Sequence, residues 1–299
     1  MTRNWKRLSN KFASREKNNN SERENLMKRI SLILAFAMIA ALTTAAQEKP
    51  KADGPGKTET PKSEAPKAEA PKTDAKAAAL PTVEDIFDNY VKAVGGKEAI
   101  EKITSRSMKG SFDLEAFGVA GAPVEMFSKA PNKSAMKIDI TGFGVVNRVF
   151  DGASGWASDP MSGLRELSGL ELSQMKRGSD FYQELNFKKQ YTKTELKGKE
   201  KVGSYETYVI EATPTEGSPE TLYFDVNTNL LVRHDAEAEN PQGKLMMKTY
   251  MEDYKVVDGV KIPHTVKQVN EAMTIVIKIT EVKNNVEIDD AKFNKPSGN

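Results

Sequence analysis

The sequence predicts a mainly β fold with a few helices: a curved antiparallel sheet of about eleven strands, curling into a half-barrel that wraps the helices. Three observations carry this reading. From about residue 105 onward, apolar and polar residues alternate with period two, the mark of half-buried antiparallel strands. Turn-forming pairs recur between the alternating runs. Helical periodicity is confined to the start of this region and to one insertion within it.

Taken in order, residues 82–94 read as a helix. Thr82 and Asp85 have the spacing of a capping box, and Ile86, Phe87, Tyr90, Val91 and Val94 share one broad face. Gly95-Gly96 ends it, because glycine takes a left-handed cap without strain. A short second helix is expected from Lys97 to Ile103. The period then changes. Met108, Gly110, Phe112 and Leu114 fall on one face of a strand; Met136, Ile138 and Ile140 on another; then Leu222, Phe224 and Val226; and finally Met273, Ile275, Ile277 and Ile279. Turns are expected at Pro131-Asn132, Asp151-Gly152, Val202-Gly203, Asn227-Thr228-Asn229, Asp258-Gly259 and Asn284-Asn285. One helical interruption is placed at Gly169–Arg177, inside an insertion between Pro160 and Tyr191. Residues 81–299 form the single folded domain.

The chain of 299 residues carries a net charge of +2, but that figure averages unlike parts. Residues 1–46 hold 9 Lys and Arg against 3 Asp and Glu; residues 47–80 hold 7 against 6; residues 81–299 hold 28 against 33. The body is therefore mildly acidic, and nucleic acid is not an expected partner. From Met27, Lys28-Arg29 precede an apolar run from Ile30 to Leu42, followed by small residues up to Ala46. That is the pattern of a secretory signal peptide over 27–46. The 13-residue apolar run is shorter than the ~20 residues a spanning helix needs. Residues 1–26 read as a polar N-terminal extension, with Met27 the better candidate initiator. The expected location is the periplasm or the exterior, soluble after cleavage; the alternative is an inner-membrane anchor through residues 30–46. Residues 47–80 repeat proline at 50, 55, 61, 66 and 71 and lack aromatic residues. They read as a disordered linker, which in extended form reaches on the order of 100 Å at ~3.1 Å per residue.

Chemistry is sparse. With no cysteine, thiolate nucleophiles, disulfides, Cys-ligated metals and a lipidated N-terminal cysteine are all excluded. The two histidines, His234 and His264, have no second histidine or carboxylate at ligand spacing. Glu252 and Asp253 point to opposite faces of a strand and cannot act on one atom together. Asp289-Asp290 reads as the cap of a last helical turn leading to Phe293. There is no nucleophile elbow, phosphate loop or dinucleotide fingerprint. No enzyme, metal or cofactor is expected. The apolar inventory is more informative, since nine of the twelve methionines fall in the body. Methionine is flexible and polarizable, so these residues suit either ordinary core padding or an adaptable cavity for acyl chains. Trp156 fits either a core anchor or a cavity rim.

Three stretches, in order, resemble one known family. Lys129-Ala130-Pro131-Asn132-Lys133-Ser134-Ala135-Met136-Lys137 is similar to a strand-turn-strand of the outer-membrane lipoprotein carriers. Phe150-Asp151-Gly152-Ala153-Ser154-Gly155-Trp156 with Asp159-Pro160 resembles their next hairpin. Leu222-Tyr223-Phe224-Asp225, Asn229-Leu230-Leu231-Val232-Arg233 and the run from Tyr254 to Pro263 resemble later strands. The resemblance, over about residues 82–295, is to the LolA/LolB-like superfamily, in a branch of undefined role. It implies an incomplete antiparallel barrel with a helical lid over an apolar cavity. The carriers' cavity arginine at the turn has no counterpart here; Lys129 is the nearest residue. The expected function is a periplasmic carrier or binder of a lipid, lipoprotein or other amphiphile, acting as a monomer in lipoprotein sorting or related envelope traffic. The alternative is a non-enzymatic regulatory or scaffolding module that binds an envelope protein. Candidate cavity residues are Met108, Phe112, Met126, Met136, Ile138, Phe150, Trp156, Leu222, Phe224, Met247, Ile275 and Ile277.

Overall fold

The computed structural model describes residues 80–240 and 243–297; the signal-like segment and nearly all of the linker lie outside the described residues. Helix α1 spans Val83–Ala93. The Thr82 hydroxyl accepts from the Asp85 backbone N–H at 3.1 Å, and the Thr82 N–H donates to the Asp85 carboxylate at 3.1 Å, completing the expected capping box. These Thr82 hydrogen bonds hold the Asp85 carboxyl below its usual value. Replacing the cap with Thr82→Ala is expected to cost about 1 kcal/mol in a urea titration. An unchanged midpoint would mean that packing alone holds the helix start. Gly95, at φ +123°, then brings the chain against the 258–259 turn: a Cβ there would lie 2.3 Å from the Gly259 carbonyl oxygen. A short helix α2 follows at Lys97–Glu101.

The sheet has thirteen strands, two more than expected. In chain order they are β1 Ser105–Leu114, β2 Val119–Lys129, β3 Lys133–Ile140, β4 Gly144–Phe150, β5 Gly155–Asp159, β6 Gly163–Glu166, β7 Tyr191–Val202, β8 Tyr205–Pro214, β9 Glu220–Asp225, β10 Leu231–Asn240, β11 Gly243–Val257, β12 Val260–Val269 and β13 Thr274–Asn284. The spatial order is β6-β5-β4-β3-β2-β1-β13-β12-β11-β10-β9-β8-β7. Every neighbour is antiparallel, so the sheet is two meanders joined where the first strand meets the last. At that seam the register shifts beside Gly110, where a Cβ would fall 2.0 Å from the Lys278 carbonyl oxygen. Only glycine lets β1 and β13 approach so closely.

The sheet is not closed. Its edges are β6 and β7, and the chain between them forms helices α3 (Gly169–Gly178) and α4 (Gln183–Gln190). The insertion therefore holds a strand and two helices rather than one helix. Helix α3 touches both β5 and β10, which lie eight places apart in the sheet order. A flat sheet could not meet one helix twice in this way, so the sheet curves around it. On the inner face, Phe87 of α1, Phe187 of α4 and Phe224 of β9 pack together with Tyr90 and Tyr191, at ring-centre separations of 5.3 to 6.4 Å. Such aromatic pairs stabilise beyond their buried area, and they fix α1 and α4 to the sheet. The outer face of β3–β5 is covered in turn by a 3₁₀ turn at Asp290–Phe293. The Asp289 carboxylate caps that turn by accepting from Ala291 N–H at 2.9 Å, and Phe293 is fully buried.

Candidate functional site

The inner face is mostly filled. Phe112, Ile138, Leu222, Phe224, Ile275 and Ile277 belong to one continuous core, while Phe150 and Met247 are buried as well. Trp156 is a correction to the expected cavity lining. It lies on the outer face, packed with Ala135, Val149, Ile288 and Phe293 beneath the C-terminal turn. Open space survives under α3, where a cavity of about 90 Å³ is lined by Met108, Met126, Met136, Met175 and Arg148, with Ser134 and Ser179 at its side. Three of the twelve candidates thus converge on it. That volume holds about three waters at ~30 Å³ each, so a longer ligand enters only if something moves.

Strand register explains the lining. Arg148 pairs with Met136, Met136 with Met126, and Met126 with Met108. Directly paired residues point to the same face, so β4, β3, β2 and β1 present one row of an arginine and three methionines. On the other side of Arg148 the row continues through Ala157 of β5 to Arg165 of β6. The small Ala157 leaves room for both guanidinium groups to reach Glu171 of α3. Arg148 donates to Glu171 at 2.8 Å, and Arg165 donates in a bidentate fork at 2.6 and 2.8 Å. Arg148 and Glu171 are both buried. Burial alone would raise the Glu171 pKa, but the hydrogen bonds and charges of Arg165 and Arg148 outweigh it, so the carboxyl sits below its usual value. Burial draws the Arg148 pKa down against the opposing charge of Glu171. The guanidinium stays charged.

The far end of α3 is tied to the opposite half of the sheet. Arg177 donates to the buried Glu220 of β9, which also receives Tyr191 OH at 3.2 Å and lies 3.0 Å from His234 Nε2. The charge and hydrogen bonds of His234 and Arg177 overcome burial and lower the Glu220 pKa. Gln174 donates to the Glu237 carbonyl of β10. The Ser134 and Ser179 hydroxyls meet at 2.6 Å. The buried residues of α3 are Glu171 and Gln174, so this helix bridges the sheet's two halves through polar contacts rather than an apolar face. That contrasts with α1, whose buried residues are Ile86, Phe87 and Tyr90.

Sequence reasoning missed Arg148, Arg165, Glu171 and Met175. One signal was available: Arg148 interrupts the inward positions of an otherwise apolar strand, Val145-Val146-Asn147-Arg148-Val149-Phe150. A buried arginine does line the cavity, but it comes from β4 rather than from the β2–β3 turn. Lys129 at that turn pairs with Asp290 at 2.9 Å on the outer side. His264 makes a local contact, its Nδ1 lying 2.9 Å from the Ile262 carbonyl oxygen. Among the described residues no group of three or more His, Asp or Glu could hold a metal ion, and no helix is long and apolar enough to cross a membrane.

An open, curved antiparallel sheet that holds helices against its inner face defines the fold class. An outer membrane lipoprotein-sorting protein domain from Vibrio parahaemolyticus shares this fold with a TM-score of 0.50 at 14% identity, over 72% of this chain and 98% of that one. A DUF1329 family protein from Desulfovibrio piger matches with a TM-score of 0.48 at 16% identity, over 71% of this chain and 97% of that one. A LolA superfamily protein from Nitrosomonas europaea matches with a TM-score of 0.48 at 14% identity, over 72% and 99%. A family model described only as an uncharacterized protein matches residues 159–297. No curated protein sequence matches this chain.

Proposed function

We propose that this protein is a carrier or binder of an amphiphile, with the methionine row of β1–β3 as the seat of the apolar chain and α3 as the element that lifts to admit it. The observation that carries this reading is the contrast beneath α3. One side of the contact is an apolar methionine surface, and the helix is held over it by ion pairs and hydrogen bonds that water can replace. The bonds that hold α3 run mostly to charged groups and are worth about 1.5–3 kcal/mol each, but lifting the helix returns both partners to water, a replacement that an apolar face does not have. The methionines adapt in shape to what replaces the helix. The signal-like leader and the LolA-like fold support a site of action in the periplasm, with a lipid or lipoprotein as cargo.

The test is displacement of a fluorescent fatty acid from the full chain, compared between the parent and Met136→Trp. Filling the cavity is expected to weaken binding by about tenfold, equivalent to about 1.4 kcal/mol. Equal affinity in the two proteins, or no saturable binding in the parent, would remove the methionine row as the seat.

A further inference from the structure

The outer face of the sheet carries a groove of about 610 Å³ between β2–β4 and the C-terminal turn with the chain that follows it. Strand register lays out its floor. Phe127 pairs with Ala135, and Ala135 with Val149, so the three form one row on the face opposite the methionines. Ile288 and Phe293 pack over this row where it reaches Trp156. Toward the other end Phe127 and the nearby Val145 stay only half-buried and line the groove.

The rim is basic. Lys137 of β3, Lys292 of the turn and Lys295 beyond it are exposed and make no ion pair among the described residues. Lys292 lies 5.0 Å from the centre of the Phe127 ring, so cation and apolar floor form one surface. The one carboxylate of the lining, Glu125, sits 3.6 Å from Lys109. On the turn, Asp290 is held by Lys129 and Lys133 at 2.9 and 3.3 Å, and Asp289 caps the Ala291 N–H. Asp139, the acid of β3, lies outside the lining. Residues 81–299 hold 33 acids against 28 bases, so this groove runs against the charge of the domain that carries it.

We infer that the groove docks an acidic segment of a partner protein, its carboxylates on the three lysines and its apolar side chains on Phe127 and Val145. Charge complementarity sets the sign of the partner, and shape sets its class. The apolar floor is recessed between the sheet and the turn, where a side chain reaches and a flat bilayer surface does not. The lining holds no arginine, whose planar fork is the bidentate match for phosphate; a lysine is a point charge that serves a carboxylate as well. The chain's own linker, with 7 bases against 6 acids over residues 47–80, lacks the complementary charge. The groove and the methionine cavity lie on opposite faces of the sheet, so this inference and the amphiphile reading stand or fall separately.

The experiment is fluorescence anisotropy of the full chain with a fluorescein-labelled decapeptide of alternating glutamate and leucine. The same peptide with lysine in place of glutamate, and vesicles of phosphatidylglycerol, are measured beside it. Saturable binding of the acidic peptide is expected, weakening as salt screens the lysines. Lys292→Glu with Lys295→Glu, both at exposed positions, should weaken it about tenfold, because two exposed ion pairs give way to two repulsions. Val145→Ser should weaken it severalfold through the apolar floor. Lys201→Glu with Lys248→Glu changes the net charge equally at exposed positions outside the groove and should leave the affinity as it was. No saturable binding of the acidic peptide, equal binding of the basic one, or the same loss in both double variants would overturn the inference. Vesicle binding that the Lys292 and Lys295 changes abolish would overturn it as well, by making this face a membrane surface.

Discussion

Glu171→Ala is expected to lower stability by about 3 kcal/mol and to strip hydrogen-exchange protection from residues 169–178. The substitution leaves Arg148, 5% exposed, without the carboxylate that offsets its burial. Breaking a buried ion pair by removing one partner costs about 3–5 kcal/mol, because the remaining charge stays out of water. The lower figure is expected here because α3 offers an escape: lifting the helix hydrates Arg148 at the expense mainly of polar contacts, with only the half-buried Leu172 and Met175 on its apolar side. Urea unfolding reads the first effect, and amide exchange along α3 reads the second. The triple variant Arg148→Met, Arg165→Met and Glu171→Leu replaces the whole triad with apolar side chains, and it should recover stability and hold the helix down. A Glu171→Ala protein as stable as the parent, with α3 still protected, would show that the ion pairs do not fasten the helix.

Stability should also fall by about 3 kcal/mol between pH 5 and pH 8, and Glu184 is the reason. This α4 carboxyl is buried, and burial pushes its pKa up to about 7. Its own backbone N–H and the charge of Arg106 act the other way but do not prevail, and Asp180 adds to the rise. A raised carboxyl pKa means that the folded state holds a proton the unfolded chain has already released. The associated stability is fully present below about pH 4.5 and is lost as pH rises through 7. A shift of about 2.5 units at 1.36 kcal/mol per unit sets the size. Glu171 and Glu220 act in the opposite sense at lower pH. Both have lowered pKa values, so their contribution is lost as pH falls below about 4.5. The result is a stability maximum near pH 5. Glu184→Gln should flatten the fall between pH 5 and 8 and leave the acid limb in place. A parent protein equally stable at pH 5 and pH 8 would contradict the assignment.

Local chemistry made much of this fold readable. The capping box at Thr82 and Asp85, the turns at 151–152, 202–203, 227–229 and 258–259, and the alternation of the central strands all depend on residues close in sequence. The extra strand within the insertion, β6, sits at a sheet edge, where that logic weakens. Strand β6 is four residues long with no buried position, and β7 exposes Lys193, Lys199 and Lys201 along a polar run. Edge strands carry such charges to resist pairing with other chains, which erases the apolar alternation that marks a central strand. Trp156 was misplaced for a different reason. The C-terminal turn makes the outer face of β3–β5 apolar as well, so hydrophobicity alone could not tell inside from outside there.

The candidate site is legible in the sequence only in its apolar half. Met108, Met126 and Met136 stood out by residue type and strand position. The polar half depends on contacts between residues distant in sequence, Arg148 with Glu171 and Arg177 with Glu220, whose partners are 23 and 43 positions apart. Nothing in either short segment signals its partner. What brings them together is the curvature of the sheet around α3, a property of the whole fold.

Methyl spectra of ¹³C-methionine-labelled protein titrated with oleate report on the proposed seat itself. The resonances of Met108, Met126, Met136 and Met175 should move together and saturate at one equivalent, while the exposed Met161 and Met246 stay unchanged. Shifts confined to Met161 and Met246, or no shift at any methionine, would contradict it.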